Sequence, residues 1–256
     1  MNRILQSVTS RLSLRKPQAE SLEILATLLE KLALSKTPDT AATLEAVRAL
    51  YPQVRDFERQ FPSLCFALAT GVGKTRLMGA FISYLYLSGA SRNFFVLAPN
   101  LTIYEKLMQD FSSHSPKYVF RGISEFTAHP PILITGDNYE TGIGVRGRDL
   151  FGNEQTAYIN IFNISKINAT ENTKPGAVKS KIPKIKRLQE YIGESYFDYL
   201  AGLPDLVLLM DEAHRYRASA GAQAISDLQP ILGLELTATP KSLSGKDYVC
   251  CDNLAS

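Results

Sequence analysis

Six short apolar runs, separated by polar or helix-prone stretches, constrain the fold of this 256-residue chain more than any other feature. Several of the runs are unbroken rather than alternating, which is typical of strands that are covered on both faces. The runs occupy residues 63–69, 93–99, 131–136, 158–164, 205–211 and 232–238, and segments of helical character such as 74–87 and 100–111 lie between them. Because strands and helices alternate, the sequence predicts an α/β fold with a mostly parallel sheet and helices on both faces.

A helix-prone region precedes the first apolar run. Leu and Ile recur at three- and four-residue spacing over residues 17–34, and Pro17 suits the first turn of a helix. A second helical stretch, DTAATLEAVRALY, covers residues 39–51. We therefore expect an N-terminal helical segment at 1–60, a sheet domain at 61–245, and a tail at 246–256 whose role the sequence does not indicate.

Composition and charge are those of an ordinary globular protein. Hydrophobic residues make up 45% of the chain and charged residues 21%, and the net charge of +3 permits a nucleic-acid partner without requiring one. The three cysteines, Cys65, Cys250 and Cys251, have no zinc-binding spacing and fit a reducing compartment. The apolar runs are too short to cross a bilayer, and the N-terminus has no signal-type apolar core. We expect a cytoplasmic protein without a membrane partner.

The segment ATGVGKT, residues 69–75, directly follows the first predicted strand and begins a predicted helix. Glycines allow a tight turn in which successive backbone N–H groups converge on one anion, and the helix N-terminus adds positive charge. Leu68 occupies the position where the general phosphate-loop pattern has glycine, but the flanking strand and helix still favour a phosphate loop over a simple turn. We predict a nucleotide site formed by Thr70, Gly71, Val72, Gly73, Lys74 and Thr75, with Lys74 on the outer phosphates and Thr75 on Mg²⁺.

An acidic pair follows the fifth apolar run. In LVLLMDEAH, residues 206–214, five apolar residues end in Asp211 and Glu212. A charged strand end is common in soluble proteins, but downstream of a phosphate loop it indicates a catalytic metal and water site. We predict that Asp211 binds Mg²⁺, directly or through water, and that Glu212 orients and deprotonates the attacking water. Since successive side chains of a strand alternate in direction, we expect the two carboxylates to diverge where the strand ends.

TGVGKT, DEAH and LTATP (236–240), in this order and each at the end of an apolar run, resemble motifs I, II and III of the first RecA-like domain of superfamily 2 helicases and translocases. The resemblance implies a P-loop NTPase fold that uses ATP and Mg²⁺. It also implies that His214, Thr237 and Thr239 couple occupancy of the γ-phosphate site to a nucleic-acid track.

Other segments resemble further motifs of the same superfamily. LSLRKPQAESL, residues 12–22, is similar to the segment whose glutamine reads adenine, which implies that role for Gln18, together with Arg15. The alternative is a glutamine on the helix surface. LAPNLTIYEKL, ITGDNYE and NIFNISKIN resemble the segments that grip a nucleic-acid backbone without reading its sequence. The implied backbone contacts are Pro99, Asn100, Thr102, Thr135, Gly136, Ser165 and Lys166.

The wording over residues 12–240 is most similar to the helicase portion of the restriction subunit of type III restriction-modification enzymes. FALATGVGKT, PDLVLLMDEAHRYRA and ILGLELTATP carry this resemblance. It implies DNA rather than RNA as the nucleic acid, and a methyltransferase or specificity subunit as a candidate partner. The alternatives are an RNA helicase of the DEAD/DEAH type and a non-catalytic module that binds nucleotide or nucleic acid.

The resemblance also implies further domains. In this superfamily ATP is hydrolysed between two RecA-like domains, the second of which supplies arginines that stabilise the transferring phosphoryl group. After TATP the sequence contains neither a recognisable second RecA-like domain nor a nuclease motif. We therefore expect a fragment, a truncated product or a separate subunit with little ATPase activity of its own.

Residues 165–187, SKINATENTKPGAVKSKIPKIKR, form the most basic stretch of the chain. A polar, lysine-rich composition of this kind is typical of a solvated surface loop. A phosphate-contacting excursion is the alternative interpretation.

Overall fold

A parallel sheet of six strands organises the protein in the computed structural model, which describes residues 2–145, 156–167, 183–190, 192–216 and 219–239. The strands of the sheet are β1 (Ser63–Ala67), β2 (Asn93–Ala98), β3 (Ile132–Thr135), β4 (Tyr158–Asn163), β7 (Leu206–Asp211) and β8 (Leu232–Thr237), in the spatial order β1-β8-β7-β2-β4-β3. A separate antiparallel ribbon pairs β5 (Leu188–Gln189) with β6 (Glu194–Ser195). Each neighbouring pair in the large sheet is parallel, so the predicted parallel α/β fold is confirmed.

The helices are α1 (Arg3–Arg11), α2 (Lys16–Leu29), α3 (Thr40–Leu50), α4 (Lys74–Leu87), α5 (Leu101–Phe111), α6 (Ser124–Ala128), α7 (Tyr196–Ala201) and α8 (Ser219–Asp227). Short 3₁₀ segments lie at Tyr139–Thr141, Ile164–Lys166, Lys184–Lys186 and Ala213–Tyr216. The predicted helices over residues 17–34, 39–51, 74–87 and 100–111 therefore correspond to α2, α3, α4 and α5. Helix α1 was not predicted from the sequence as a separate helix.

Both faces of the sheet are covered, which explains the unbroken apolar character of the strands. On one face Phe94 and Val96 of β2 pack with Leu77 of α4 and Leu107 of α5. On the other face Phe95 and Leu97 of the same strand pack with residues of α7 and α8. Every residue of β2, β7 and β8 is buried, so a polar position in these strands would lie in the core. The RecA-like layering of helices on both faces is thus confirmed.

The N-terminal helices share the core of the sheet domain. Val8 of α1 and Leu22 and Leu25 of α2 belong to the same buried cluster as Phe81 of α4 and Val96 of β2. Arg11 at the end of α1 donates to Ser124 Oγ at 2.7 Å, which fixes that helix to the start of α6. This packing supplies the stability that the nine-residue α1 lacks by itself.

A lysine fastens the N-terminal segment to the opposite side of the domain. Lys36, between α2 and α3, donates from Nζ to the carbonyl oxygens of Ala201 and Gln229, both at 2.6 Å. Ala201 is the last residue of α7 and Gln229 lies just after α8, and the carbonyl oxygens at helix C-termini favour a cation. Burial lowers the pKa of the Lys36 ammonium.

A buried ion pair lies beneath the last strand of the sheet. Glu235 of β8 is 3% exposed, and its Oε1 accepts hydrogen bonds from Arg59 Nε at 2.8 Å and from Ser63 Oγ at 3.0 Å. The side chain of Arg59 is itself 6% exposed. Removing either partner would leave the other as an uncompensated charge inside the protein.

We expect Glu235→Ala to lower the free energy of unfolding by about 3–5 kcal/mol, because it leaves the Arg59 guanidinium buried without its carboxylate partner. Urea denaturation followed by circular dichroism measures this change. Glu45→Ala is the matched control, because Glu45 pairs with Arg48 at 2.7 Å but its side chain is 71% exposed. That variant is expected to lose less than about 1 kcal/mol. Equal losses in the two variants would contradict the assignment.

Candidate functional site

The loop between β1 and α4 has the backbone conformation that a phosphate cradle requires. Gly71 and Gly73 both lie in the left-handed region, with φ of +84° and +97°, and Gly73 is the N-cap of α4. A Cβ atom on Gly73 would lie 2.7 Å from Gln18 Nε2. Glycine is therefore required at position 73 both for its backbone angle and for the approach of this neighbour.

Leu68 departs from the general phosphate-loop pattern, and its surroundings explain why glycine is not needed. Its backbone N–H donates to Thr237 O at 2.9 Å, which extends the pairing of β1 with β8 by one residue. Its side chain is buried in the core. In this chain the glycine-dependent turn therefore begins after residue 68.

The acidic pair lies at the end of β7. Asp211 is the last residue of that strand and is paired with Leu236 of β8. Glu212 lies beyond the strand in the left-handed region, at φ +50°, which is uncommon for a residue with a side chain. Glu212 lies outside the strand, so strand alternation does not set the direction of its side chain, and both carboxylates form ion pairs with Lys74. The left-handed backbone of Glu212 turns the chain at this point.

The structure brings together Lys74, at the start of α4, and the acidic pair at the end of β7. Lys74 forms an ion pair with Glu212, and its Nζ lies 4.0 Å from Asp211 Oδ1. All three side chains are largely shielded from solvent, with exposed fractions of 14% for Lys74, 9% for Asp211 and 23% for Glu212. A low-dielectric setting of this kind strengthens electrostatic interactions with any phosphate that enters.

Asp211 has the features of a metal ligand. Its Oδ1 is buried and has no hydrogen-bond partner among the residues that the structure describes. Burial raises the pKa of Asp211, and the nearby Lys74 ammonium acts in the opposite direction. A buried carboxylate oxygen without a donor is a position that a cation would satisfy. Asp211 and the hydroxyl of Thr75, in the first turn of α4, fit the protein share of a Mg²⁺ site.

The third motif contacts the acidic pair. Thr237, the last residue of β8, donates from Oγ1 to Glu212 Oε2 at 3.5 Å and accepts from Thr239 N at 3.1 Å. The two threonines predicted to couple the sites are therefore joined to each other and to Glu212. His214 lies in the 3₁₀ segment Ala213–Tyr216, but its side chain lies outside the described part of the structure, and so does Pro240.

Gln18 contacts the phosphate loop directly. Its Nε2 donates to the carbonyl oxygens of Val72 at 2.8 Å and Gly73 at 3.0 Å, and its Oε1 accepts from Arg15 N at 2.8 Å. Gln18 is 2% exposed, so the alternative of a glutamine on the helix surface is wrong. The adenine contact of Gln18 stays a prediction, and it would require the amide to exchange some of these bonds.

A cleft of about 420 Å³ opens beside this glutamine. Arg15, Gln18, Gly71, Gly73 and Arg76 are among the residues that line it. Arg76 was not predicted from the sequence; it donates to Leu12 O at 2.8 Å and so connects α4 to the end of α1. Its position in the sequence, directly after Lys74 and Thr75, was the signal that could have identified it as a residue of this cleft.

Three turns at the carboxyl ends of β2, β3 and β4 lie along one edge of the sheet, which we call the track edge (residues 99–102, 135–136 and 165–166). These strands are parallel neighbours in the order β2-β4-β3, so their carboxyl ends share an edge. The side-chain carbons Cε and Cγ of Lys166 lie 3.6 and 3.8 Å from the place that a Cβ on Gly136 would occupy. The edge contains all the predicted backbone contacts: Pro99, Asn100, Thr102, Thr135, Gly136, Ser165 and Lys166.

The track edge is held in shape by internal hydrogen bonds. Asn100 Oδ1 accepts from Ile103 N at 2.9 Å and so caps α5, while Thr102 and Lys166 are exposed. The hydroxyl of Tyr104 is hydrogen-bonded to the side chain of Thr135 and to the backbone of Gly136, and burial raises the pKa of this tyrosine. Tyr104 was not predicted from the sequence, because its role depends on the packing of α5 against β2 and β4.

The basic segment is described only at its two ends, and residues 168–182 lie outside the described part. At the far end Lys186 lies 3.6 Å from Asp227 and 4.3 Å from the centre of the Phe197 ring, so it packs against the domain. The two interpretations of the segment as a whole both stay open predictions.

Within the described residues, no helix combines the length and the apolar character that crossing a membrane demands.

The fold and the convergence of Lys74 with the acidic pair define a helicase-type ATP-binding motor domain. A family model described as "Type III restriction enzyme, res subunit" matches residues 11–242. The chain belongs to this family, as the wording of its motifs predicted.

Comparison with solved structures gives a distant similarity to the SWI2/SNF2 ATPase core of Sulfolobus solfataricus, a structure in complex with dsDNA. The identity is 14% and the TM-score is 0.41, and the match covers 82% of this chain and 33% of that one. This chain therefore spans about a third of the length of that structure. Comparison with curated proteins found no match.

Proposed function

We propose that this chain binds ATP with Mg²⁺ and serves as the ATP-hydrolysing half of a DNA-translocating motor, in the manner of a type III restriction subunit. The observation that carries the proposal is the contact of Lys74, at the start of α4, with Asp211 and Glu212 at the end of β7. A cation for phosphates and two carboxylates with distinct environments are the groups that phosphoryl transfer to water requires. Family membership over residues 11–242 supports the same conclusion.

Each residue at the site has a distinct task in the proposed reaction. The backbone N–H groups of the loop and the ammonium of Lys74 bind the phosphates, and Thr75 and Asp211 hold Mg²⁺. When bound, Mg²⁺ supplies neutralising charge for the phosphate oxygens. Glu212 accepts the proton of the attacking water, and Gln18 with Arg15 contacts the base.

The Glu212 carboxylate and a phosphate oxygen would compete for the ammonium of Lys74. Lys74 cannot give its full charge to a phosphate oxygen while it is paired with the Glu212 carboxylate. Binding of the triphosphate therefore draws Lys74 away and leaves Glu212 able to accept a proton. Nucleotide binding and activation of the base are linked through one lysine.

The track edge supplies the proposed nucleic-acid contacts. Exposed Thr102, Ser165 and Lys166, together with backbone groups at residues 99–100 and 135–136, suit a phosphodiester backbone. Such contacts carry no sequence information, and DNA is favoured over RNA by the family alone. A methyltransferase or specificity subunit as partner and a cytoplasmic location belong to the same proposal.

Equilibrium binding of fluorescent ATP to the 256-residue chain, with Mg²⁺ and with EDTA, tests the nucleotide part of the proposal. We expect binding that weakens on removal of Mg²⁺ and that unlabelled ATP displaces. Random-sequence duplex DNA and RNA, compared for binding and for stimulation of phosphate release, then test the nucleic-acid part. Stronger stimulation by RNA would favour the RNA helicase alternative, and absence of ATP binding would refute the proposal.

The non-catalytic alternative makes a different prediction in the same assays. A module that switches without turnover would bind ATP and lose that binding in Lys74→Ala, but no phosphate would be released. Phosphate release is also measured after a second RecA-like motor domain of the same family is added, because that domain would supply the arginines that this chain needs for hydrolysis. Release in that mixture would exclude the non-catalytic alternative.

A further inference from the structure

A buried tyrosine joins the segment that follows the acidic pair to the strand that leads to the track edge. Tyr216 ends the 3₁₀ segment Ala213–Tyr216, only four residues after Glu212. Its side chain is 1% exposed, and its hydroxyl donates to the backbone carbonyl oxygen of Leu97 at 3.1 Å. Leu97 is the penultimate residue of β2, and residues 99–100 of the track edge directly follow the last residue of the strand, Ala98.

This hydrogen bond lies where β2 loses one of its two neighbours. Leu97 is the last residue of β2 in register with β7, opposite Met210, whereas the following Ala98 is in register only with Asn163 of β4. The chain of β7 then turns away through the left-handed Glu212. Tyr216 therefore holds β2 at the point where its pairing with β7 ends.

We propose that Tyr216 is a positioning residue that couples the ATP site to the track edge through the carbonyl of Leu97. This inference rests on the proposed function and names its internal coupling. Glu212 must change its contacts with Lys74 and Thr237 when a triphosphate enters. Ala213 and Tyr216 are both 1% exposed, and close-packed groups transmit a shift instead of absorbing it. A displacement at Glu212 thus reaches Leu97 and the cap of α5 at Asn100.

The chain offers a matched control for the hydroxyl. Tyr196 is also 1% exposed and lies in the same buried cluster as Tyr216. Its hydroxyl donates to Asn160 Oδ1 at 2.6 Å, in the middle of β4 and not at the end of a strand. Tyr216→Phe and Tyr196→Phe each remove one buried hydrogen bond while keeping the ring. Only Tyr216→Phe removes the proposed link.

Hydrogen exchange of the backbone amides in residues 98–103, with and without Mg·ATPγS, measures the coupling in the complete 256-residue chain. In the unaltered protein and in Tyr196→Phe we expect nucleotide to change exchange there by about fivefold or more, the usual range of coupling between sites. In Tyr216→Phe that response is expected to fall below about twofold, with the Kd for Mg·ATPγS changed by no more than about twofold. The ratio of duplex DNA affinities with and without Mg·ATPγS should fall in parallel.

The outcomes separate this inference from the proposed function. A Tyr216→Phe protein that binds nucleotide and keeps the response of the unaltered protein overturns the coupling role and leaves the proposed function intact. Equal loss of the response in Tyr196→Phe also overturns it, because a general loss of packing would then be the cause. If the unaltered chain does not bind Mg·ATPγS, the proposed function fails first and the coupling fails with it.

Discussion

Lys74→Ala is expected to weaken ATP binding by about 10- to 100-fold, since it removes charge-assisted contacts with the outer phosphates. The variant also leaves Asp211 and Glu212 without their cation, so two carboxylates would face an anionic ligand. In a complete motor that includes the second RecA-like domain, hydrolysis measured as kcat/KM should fall by at least about 100-fold, because the lost charge also stabilises the transition state. Fluorescent-nucleotide titration and phosphate release give the two quantities.

Lys31→Ala is the matched control for that experiment. It removes one positive charge from an exposed position after α2, and we expect nucleotide binding to stay within about twofold of the unaltered protein. A similar weakening in both variants would show that net charge, and not the position of Lys74, governs binding. Unchanged binding in Lys74→Ala would remove the basis for the nucleotide site.

Glu212→Gln is expected to stop turnover while preserving nucleotide binding. The amide cannot accept a proton from water, so in a complete motor that includes the second RecA-like domain phosphate release should fall by at least about 100-fold. Lys74 would no longer be held by a carboxylate, and ATP should therefore bind at least as tightly as in the unaltered chain. Single-turnover phosphate release and a parallel binding titration separate the two effects.

The comparison of the two variants decides between the assigned roles. Equal loss of ATP binding in Lys74→Ala and Glu212→Gln would mean that both residues serve only to bind the nucleotide. Glu212→Ala is a poor substitute for the glutamine variant, because it also deletes the contact with Thr237. The glutamine keeps the shape of the side chain and changes only its chemistry.

The strands could be predicted from the sequence because a strand buried on both faces has apolar residues at successive positions. All six predicted runs contain the observed strands of the large sheet, with ends that differ by one or two residues. Helix α1 was missed because its nine residues are mostly polar and only Val8 is buried. Its stability comes from packing against α4, which no local pattern reveals.

The candidate site was predictable where its residues follow strands, and unpredictable where distant segments meet. The positions of Lys74 and Asp211 followed from a loop after one strand and the end of another. The contact of Gln18 with the loop spans 54 residues of sequence, and the pair of Arg59 with Glu235 spans 176. Side-chain contacts over such separations are set by tertiary packing, and the sequence offers no periodic signal for them.

The hydrogen bonds from Gln18 to the phosphate loop set a minimum length for a chain that can form a working ATP-binding unit of this kind. Two carbonyls of the loop are held by a side chain from α2, and Arg76 fastens the neighbouring helix to the end of α1. A version trimmed to begin at β1 would keep every residue proposed to contact the phosphates and still lose the scaffold that shapes the loop. The first two helices are thus integral to the proposed nucleotide pocket, although they contain none of the groups proposed to contact the γ-phosphate.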